Sequence, residues 1–157
     1  MSDHHGDIMQ TAAVAAAATT LAAAACGAIE RGNPAAPLNA VSHIAWGDTA
    51  ARRRKVSLKY TGVGVLLNAA AMVSWAAFHH VAFKPAERRS GAVEGLMRGA
   101  GTAAIAYVID YHVLPKRLTP GLEKRLSRWS VFSVYAALAV SLAVGERLAA
   151  SSRPTSR

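Results

Sequence analysis

The chain has 157 residues, of which 52% are hydrophobic and 17% charged, and its net charge is +9. Charge is scarcer than in a typical soluble domain, and the basic residues cluster between apolar runs, which argues against nucleic-acid binding. A single cysteine, Cys26, excludes an internal disulfide and a paired-cysteine metal or redox motif.

Four apolar stretches predict transmembrane helices, at residues 8–29, 60–83, 92–114 and 129–148. A helix needs about 20 apolar residues to cross the hydrocarbon core, and it satisfies its own backbone hydrogen bonds in lipid. The third stretch is the least regular, because it contains Glu94, Arg98, Asp110 and His112. The sequence predicts an all-α fold, a four-helix transmembrane bundle that forms one domain over residues 1–157.

The first predicted helix is rich in small residues, with 11 alanines among residues 8–29. Small side chains let helix backbones approach closely in a membrane, so this helix is expected to pack tightly against the others. The seven residues before it contain no Lys or Arg. The positive region of a signal peptide is therefore missing, and a retained helix is expected.

Residues 34–48, in the loop 30–59 between the first two helices, are too apolar for a solvated loop and too short to span a bilayer. Such a segment is expected to lie in the interface or to re-enter the membrane. The basic residues that follow it, together with those before the last helix, are expected to contact anionic lipid headgroups. They are Arg52, Arg53, Arg54, Lys55, Lys124, Arg125 and Arg128.

Polar residues near the inner end of the third helix are predicted to meet the loop segment. The candidate pocket comprises Asn39, His43, Asp48, Asp110 and His112. One interpretation is a pocket for a proton, ion or small ligand, in which His43 and Asp110 titrate. The other is structural, with hydrogen bonds that hold the loop against the helices. The sequence leaves both interpretations open, and it predicts a direct contact of Asp110 with His43 or Asn39.

Polar residues near the outer ends of the second and third helices form a separate candidate site. His79, His80 and Glu94 supply imidazole and carboxylate groups that suit zinc, copper or iron. Adjacent histidines on a helix point about 100° apart, which disfavours chelation of one ion. The alternative is that these histidines are amphipathic anchors at the interface, and no cofactor is predicted.

Three glycines at four-residue spacing, Gly91, Gly95 and Gly99, mark one face of the third helix. In membranes this spacing typically allows two helices to cross closely. Residues 84–90 are short enough to predict an antiparallel hairpin of the second and third helices. The last helix is predicted to open at Thr119-Pro120, with threonine as the N-cap and proline at the first helical position.

Lys and Arg are distributed unevenly between the two sides of this topology. Residues 30–59 and 115–128 together hold eleven, whereas the leader, residues 84–90 and the tail hold six. The positive-inside rule then places the two basic loops in the cytoplasm and both termini in the periplasm.

Two segments, residues 34–48 and 110–123, resemble stretches of small proteobacterial integral membrane proteins of unknown function. The resemblance covers less than a quarter of the chain. It implies a bacterial inner-membrane location and no particular activity.

Standard catalytic signatures are missing from the sequence, including GxSxG, HExxH and a Walker A loop. The leading hypothesis is therefore a non-enzymatic inner-membrane protein with a structural or accessory role, as a subunit of a complex, as a homo-oligomer or with a partner membrane protein. The alternative is a small transport or ligand-binding protein that uses the cytoplasm-facing pocket. The third hypothesis is a membrane metalloprotein.

Overall fold

The computed structural model describes residues 2–83 and 91–152, and all regular structure in these ranges is helical. The α-helices are α1 (Ser2–Arg31), α2 (Ala35–Val41), α3 (His43–Trp46), α4 (Asp48–Ala51), α5 (Val63–Phe83), α6 (Ala92–Val108) and α7 (Arg128–Ser151). π-Helical turns cover Leu58–Gly62 and Ile109–Val113, and a 3₁₀ turn covers Leu122–Lys124. The all-α prediction is confirmed for these ranges.

Three helical segments are long and apolar enough to cross a membrane: His4–Arg31, Leu58–Phe83 and Arg128–Ser151. They coincide with the first, second and fourth predicted spans. The third predicted span, 92–114, consists of α6 and the π-helical turn after it, and it is not among the three. The α-helical part of this span has only 17 residues, and two of them, Glu94 and Arg98, are charged.

The longest interhelical contact is the antiparallel packing of α1 on α7. Near the start of α1, the Thr11 backbone lies beside Gly145 near the end of α7. At the opposite end, the Glu30 carboxylate accepts hydrogen bonds from the Ser127 backbone N–H (2.9 Å) and from the Ser127 and Ser130 hydroxyls. We call the end with Thr11 and Gly145 the terminal end, and the end with Glu30 and Ser127 the loop end.

Each of the other two long helices packs on a different member of this pair: α5 packs mainly on α1, and α6 packs mainly on α7. In the first third of α5, the Asn68 amide donates to the hydroxyls of Thr19 (2.9 Å) and Thr20 (3.1 Å) on α1. The contact between α5 and α6 is lighter. The predicted hairpin loop, 84–90, lies outside the described residues.

Alanines contribute about half of the buried apolar residues, and many large apolar side chains of the long helices point outward, although Leu138 and Leu142 are buried. Ala12 and Ala15 of α1 and Ala106 of α6 are buried. Large exposed apolar residues on the long helices include Leu21, Leu66, Phe132 and Val140. A surface of this kind would be costly in water, and it is consistent with membrane association.

The last helix begins later than the sequence predicts. Ser127 is its N-cap and accepts a hydrogen bond from the Ser130 backbone N–H (3.3 Å). The Thr119 hydroxyl donates instead to the Lys116 carbonyl (3.0 Å) within a turn. Gly121 has a φ of 75°, a left-handed conformation that a continuous helix cannot contain, so the prediction of a start at Thr119-Pro120 is wrong.

The apolar segment between α1 and α5 folds as α2 and α3, and every residue of α2 is buried. A Cβ atom at Gly64 would lie 1.9 Å from the Leu38 carbonyl oxygen, so the absence of a side chain lets α2 lie directly on α5. On the other side, Pro37 lies against Gly27 of α1. α2 therefore packs inside the protein, between α1 and α5 at the loop end, whereas Ala45 and Trp46 of α3 are exposed.

Candidate functional site

Asn39 is a polar side chain at the loop end that is 0% exposed and makes three hydrogen bonds. Its amide nitrogen donates to the carbonyl oxygens of Arg53 (3.0 Å) and Lys55 (3.1 Å). Its amide oxygen accepts from the Thr61 hydroxyl (2.6 Å). Both amide hydrogens are thus used within the protein, and Asn39 ties α2 to the chain that leads into α5.

His43 is also buried, and it faces the loop before α7. Its Nδ1 lies 2.8 Å from the Ala40 carbonyl oxygen. A carbonyl oxygen can only accept, so Nδ1 carries the proton in this contact. Nε2 lies 3.5 Å from the Lys116 carbonyl oxygen. A Cβ atom at Gly121 would lie 2.6 Å from Nδ1, so the left-handed glycine allows this loop to close over the imidazole.

Asp110 does not contact His43 or Asn39, and the prediction of that pair is wrong. Its carboxylate accepts a hydrogen bond from the Tyr135 hydroxyl (2.6 Å) on α7. Asp110 belongs to the π-helical turn that follows α6, and α6 packs on α7. The helix pairing therefore directs the carboxylate toward α7 and away from the polar atoms of the loop segment.

Tyrosine rings surround the Asp110–Tyr135 pair. The Tyr107 and Tyr135 rings meet edge to face at 5.4 Å, and the Tyr111 ring lies 5.1 Å from Tyr107. His112 is exposed and lies 5.8 Å from the Tyr107 ring, so it belongs to this aromatic group rather than to a pocket with His43. Asp110 also lines a cavity of about 160 Å³, whose walls include Asn68 and the apolar side chains Val41 and Ile44.

His43 and Asp48 line a different cavity, an open groove of about 870 Å³ between the loop segment and residues 116–124. Asp48 forms an ion pair with Lys124. This hydrogen-bonded ammonium holds the pKa of the Asp48 carboxyl below its usual range. The five residues of the predicted pocket are thus divided among separate environments.

Basic side chains concentrate at the loop end, and several of them hold the two loops together. The Arg125 guanidinium donates to the Ala51 carbonyl, and the Arg31 guanidinium donates to the Arg125 carbonyl (3.2 Å). The side chains of Arg52, Arg53, Lys55 and Arg128 are exposed. Their contact with lipid headgroups stays a prediction.

A buried polar network near the terminal end joins three helices. The Glu146 carboxylate of α7 pairs with the Arg98 guanidinium of α6 at 3.1 Å and with His79 Nε2 of α5 at 3.5 Å. His79 Nδ1 lies 2.8 Å from the Thr102 hydroxyl. Arg98 also pairs with Glu94 at 2.8 Å. The sequence analysis missed Glu146, although it is the only acidic residue of the last apolar helix.

The candidate metal site of His79, His80 and Glu94 is not assembled in the described part of the chain. His79 faces α6 and α7, whereas His80 faces α1, where its Nε2 lies 3.2 Å from His4 Nδ1. Consecutive residues on a helix point about 100° apart, which separates the two imidazoles. Glu94 is engaged by Arg98. No group of three His, Cys, Asp or Glu side chains that could hold a metal occurs among the described residues.

The glycines of α6 differ in what lies beside them. A Cβ atom at Gly99 would lie 2.1 Å from the Ala139 carbonyl oxygen of α7, whereas one at Gly95 would lie 3.8 Å from the Ala143 Cβ. Gly91 precedes α6, and no atom of the described residues lies within 4 Å of its Cβ position. The close helix contact is therefore centred on Gly99.

No protein-family model, curated protein or solved structure matches the chain.

Proposed function

We propose that the chain is a non-enzymatic, four-helix protein of the bacterial inner membrane with a structural or accessory role. The observation that carries this proposal is the use of the loop-end polar groups inside the protein. The Asn39 amide donates both of its hydrogens to backbone carbonyls, and the Asp110 carboxylate accepts a hydrogen bond from the Tyr135 hydroxyl. Groups engaged in this way hold segments together and are not available to pass a substrate.

The fourth crossing would be made by α6 and the turn that follows it. The 17 residues of α6 extend about 25 Å, and the five of the π-helical turn bring the segment close to the roughly 30 Å of a hydrocarbon core. The Arg98 side chain is 11% exposed and pairs with Glu146. Because Arg98 faces a protein partner, and the exposed Glu94 in the first turn of the helix pairs with Arg98, this helix avoids much of the cost of charge in lipid.

The orientation follows from the charge at the loop end. The two loops there hold eleven Lys and Arg residues, and they contact each other through Lys124 and Asp48. The positive-inside rule favours a cytoplasmic loop end and periplasmic termini. The resemblance of residues 34–48 and 110–123 to proteobacterial membrane proteins supports an inner-membrane location.

Reporter fusions test this topology. A reporter that is active only in the periplasm should give signal when fused after residue 152 and none when inserted at Arg53. A reporter that is active only in the cytoplasm should give the reverse result. A cytoplasmic C-terminus would contradict either the fourth crossing or the orientation.

A flux assay tests the accessory role against transport. The purified protein is reconstituted in liposomes that contain a pH-sensitive dye, and a pH gradient is imposed. The gradient should decay at the same rate as in protein-free liposomes. A faster decay that Asp110→Asn abolishes would overturn the accessory role in favour of proton movement.

A ligand-binding function is the second candidate, favoured by the groove that His43 and Asp48 line. Lys116, Arg117 and Lys124 line the same groove and outnumber its two carboxylates, Asp48 and Glu123, so the site would suit a small anion. Inorganic phosphate or pyrophosphate should then raise the Tm of the wild type in detergent and not that of the double variant Lys116→Gln/Arg117→Gln. An equal response of both proteins would remove this candidate.

A further inference from the structure

We propose that the groove between α6 and α7 binds one anionic phospholipid, with an acyl chain along the groove and the phosphate at Arg128. The proposal rests on the membrane location proposed above. It goes beyond general attraction of headgroups to basic loops, because it assigns one lipid to one groove.

The groove has the shape of an acyl-chain site. It encloses about 880 Å³, and Phe132, Trp129 and Tyr107 form its walls. Its floor consists of small residues from both helices: Ala100, Ala103, Ala104, Ala136 and Ala139. Small residues on both sides of a helix crossing leave a furrow that a flexible hydrocarbon chain can fill.

The length of the groove matches one leaflet. On α7 it extends from Arg128 to Val140, and on α6 from Val108 to Leu96, which is about 18 Å on each helix at the helical rise. Half of a hydrocarbon core is about 15 Å. A chain that enters at the loop end would therefore reach the middle of the bilayer inside the groove.

The mouth of the groove offers a free cation. Arg128 is exposed, and it makes no hydrogen bond or ion pair within the described residues. Its neighbours Lys124 and Arg125 are engaged with Asp48 and the Ala51 carbonyl. A guanidinium matches phosphate oxygens with two parallel hydrogen bonds. Trp129, which is 81% exposed, has the amphipathic ring that favours headgroup depth.

The charge at the mouth favours a lipid over a second copy of the chain. In a closed two-fold dimer within a membrane, both copies have the same orientation. A dimer through this groove would therefore bring the Arg128 side chains and the basic loop ends of the two copies together. An anionic headgroup neutralises this charge, whereas a second copy adds to it.

Quenching of Trp129 by brominated lipids tests the proposal. The chain has three tryptophans, so Trp46→Phe and Trp75→Phe leave Trp129 as the only tryptophan, whose emission can be excited separately from that of tyrosine. In liposomes with a fixed fraction of brominated lipid, brominated phosphatidylglycerol should quench Trp129 more than brominated phosphatidylcholine does. Arg128→Gln should lower this preference about fivefold, as expected for one basic group near an anionic surface.

Two matched variants separate the site from general effects. Arg52→Gln removes an exposed basic residue of the same end, outside the groove, and should keep the preference. Ala104→Phe fills the groove and should lower quenching by both lipids, whereas Ala17→Phe, on the exposed side of α1, should not. Circular dichroism and size-exclusion chromatography check that each variant is folded.

Several results would overturn the proposal. Equal quenching by the two lipids, or equal effects of Arg128→Gln and Arg52→Gln, would mean that the groove has no headgroup site. Shielding of Trp129 from both lipids, together with a dimer mass in detergent, would mean that a second copy covers the groove. Absence of the protein from floated liposomes would instead contradict the proposed membrane location.

Discussion

A single amide side chain organises the loop end at the residue scale. Asn39 is 0% exposed and bridges the backbone at Arg53 and Lys55 to the Thr61 hydroxyl. Asn39→Ala should lower the free energy of unfolding by about 1–3 kcal/mol, because it leaves these buried partners without hydrogen bonds. Denaturant titration in detergent measures the change. Ser74→Ala, at an exposed site on α5, should change it by less than about 0.5 kcal/mol.

The hydrogen bond from Tyr135 to Asp110 can be separated from ring packing, because Tyr107 belongs to the same aromatic cluster without donating to Asp110. Tyr135→Phe should lower the free energy of unfolding by about 1.5–3 kcal/mol if the carboxylate is ionised, whereas Tyr107→Phe should cost less than about 0.5 kcal/mol. A double-mutant cycle of Tyr135→Phe with Asp110→Asn isolates the pair. Additive losses would mean that the two side chains are not coupled.

At the element scale, the close packing of α6 on α7 depends on Gly99, which lies against the Ala139 carbonyl. Gly99→Ala places a methyl group 2.1 Å from the Ala139 carbonyl oxygen, so the helices must separate. We expect a loss of about 1–3 kcal/mol in unfolding free energy, the usual cost of overpacking. Gly95→Ala has room beside Ala143 and should be neutral or stabilising. Equal losses would show that the contact is not centred on Gly99.

Apolar runs were sufficient to predict most helices but not their ends. The three long uncharged runs became the three candidate spans. The start of α7 was misplaced because Thr119-Pro120 has the composition of a helix start, whereas the left-handed Gly121 ends any helix there. The register change in the π-helical turn at Ile109–Val113 has no signal in a hydrophobicity pattern.

The candidate sites were only partly predictable, since they depend on which helices become neighbours. The sequence placed Asn39 and His43 in one candidate pocket with Asp110, but it could not show that Asp110 would meet Tyr135 across α6 and α7. Glu146 was missed because it follows the uncharged run of the last helix. An antiparallel arrangement would have placed it beside His79 and Arg98, and its isolation as the one acid in that helix was the available signal.

At the scale of the whole molecule, Glu146 connects α5, α6 and α7 near the terminal end. Glu146→Gln should lower the free energy of unfolding by about 1.5–3 kcal/mol, because it weakens charge-assisted hydrogen bonds to the largely buried Arg98 guanidinium, which keeps its ion pair with the exposed Glu94. Glu94→Gln is a matched control, since Glu94 is 62% exposed and a surface pair contributes less than about 1 kcal/mol. A similar loss in both variants would mean that Glu146 does not hold the three helices together.

The pairing of α1 with α7 determines when the protein can finish assembling during synthesis. α1 leaves the ribosome before α5, α6 and α7, yet its most extensive partner, α7, is made after the other two. The part of its alanine-rich surface that contacts α7 therefore stays uncovered by that helix until residues 128–151 have been translated. Contacts between distant parts of a chain form late. A chain interrupted before α7 leaves this surface of α1 uncovered, and proteases would encounter it in that state.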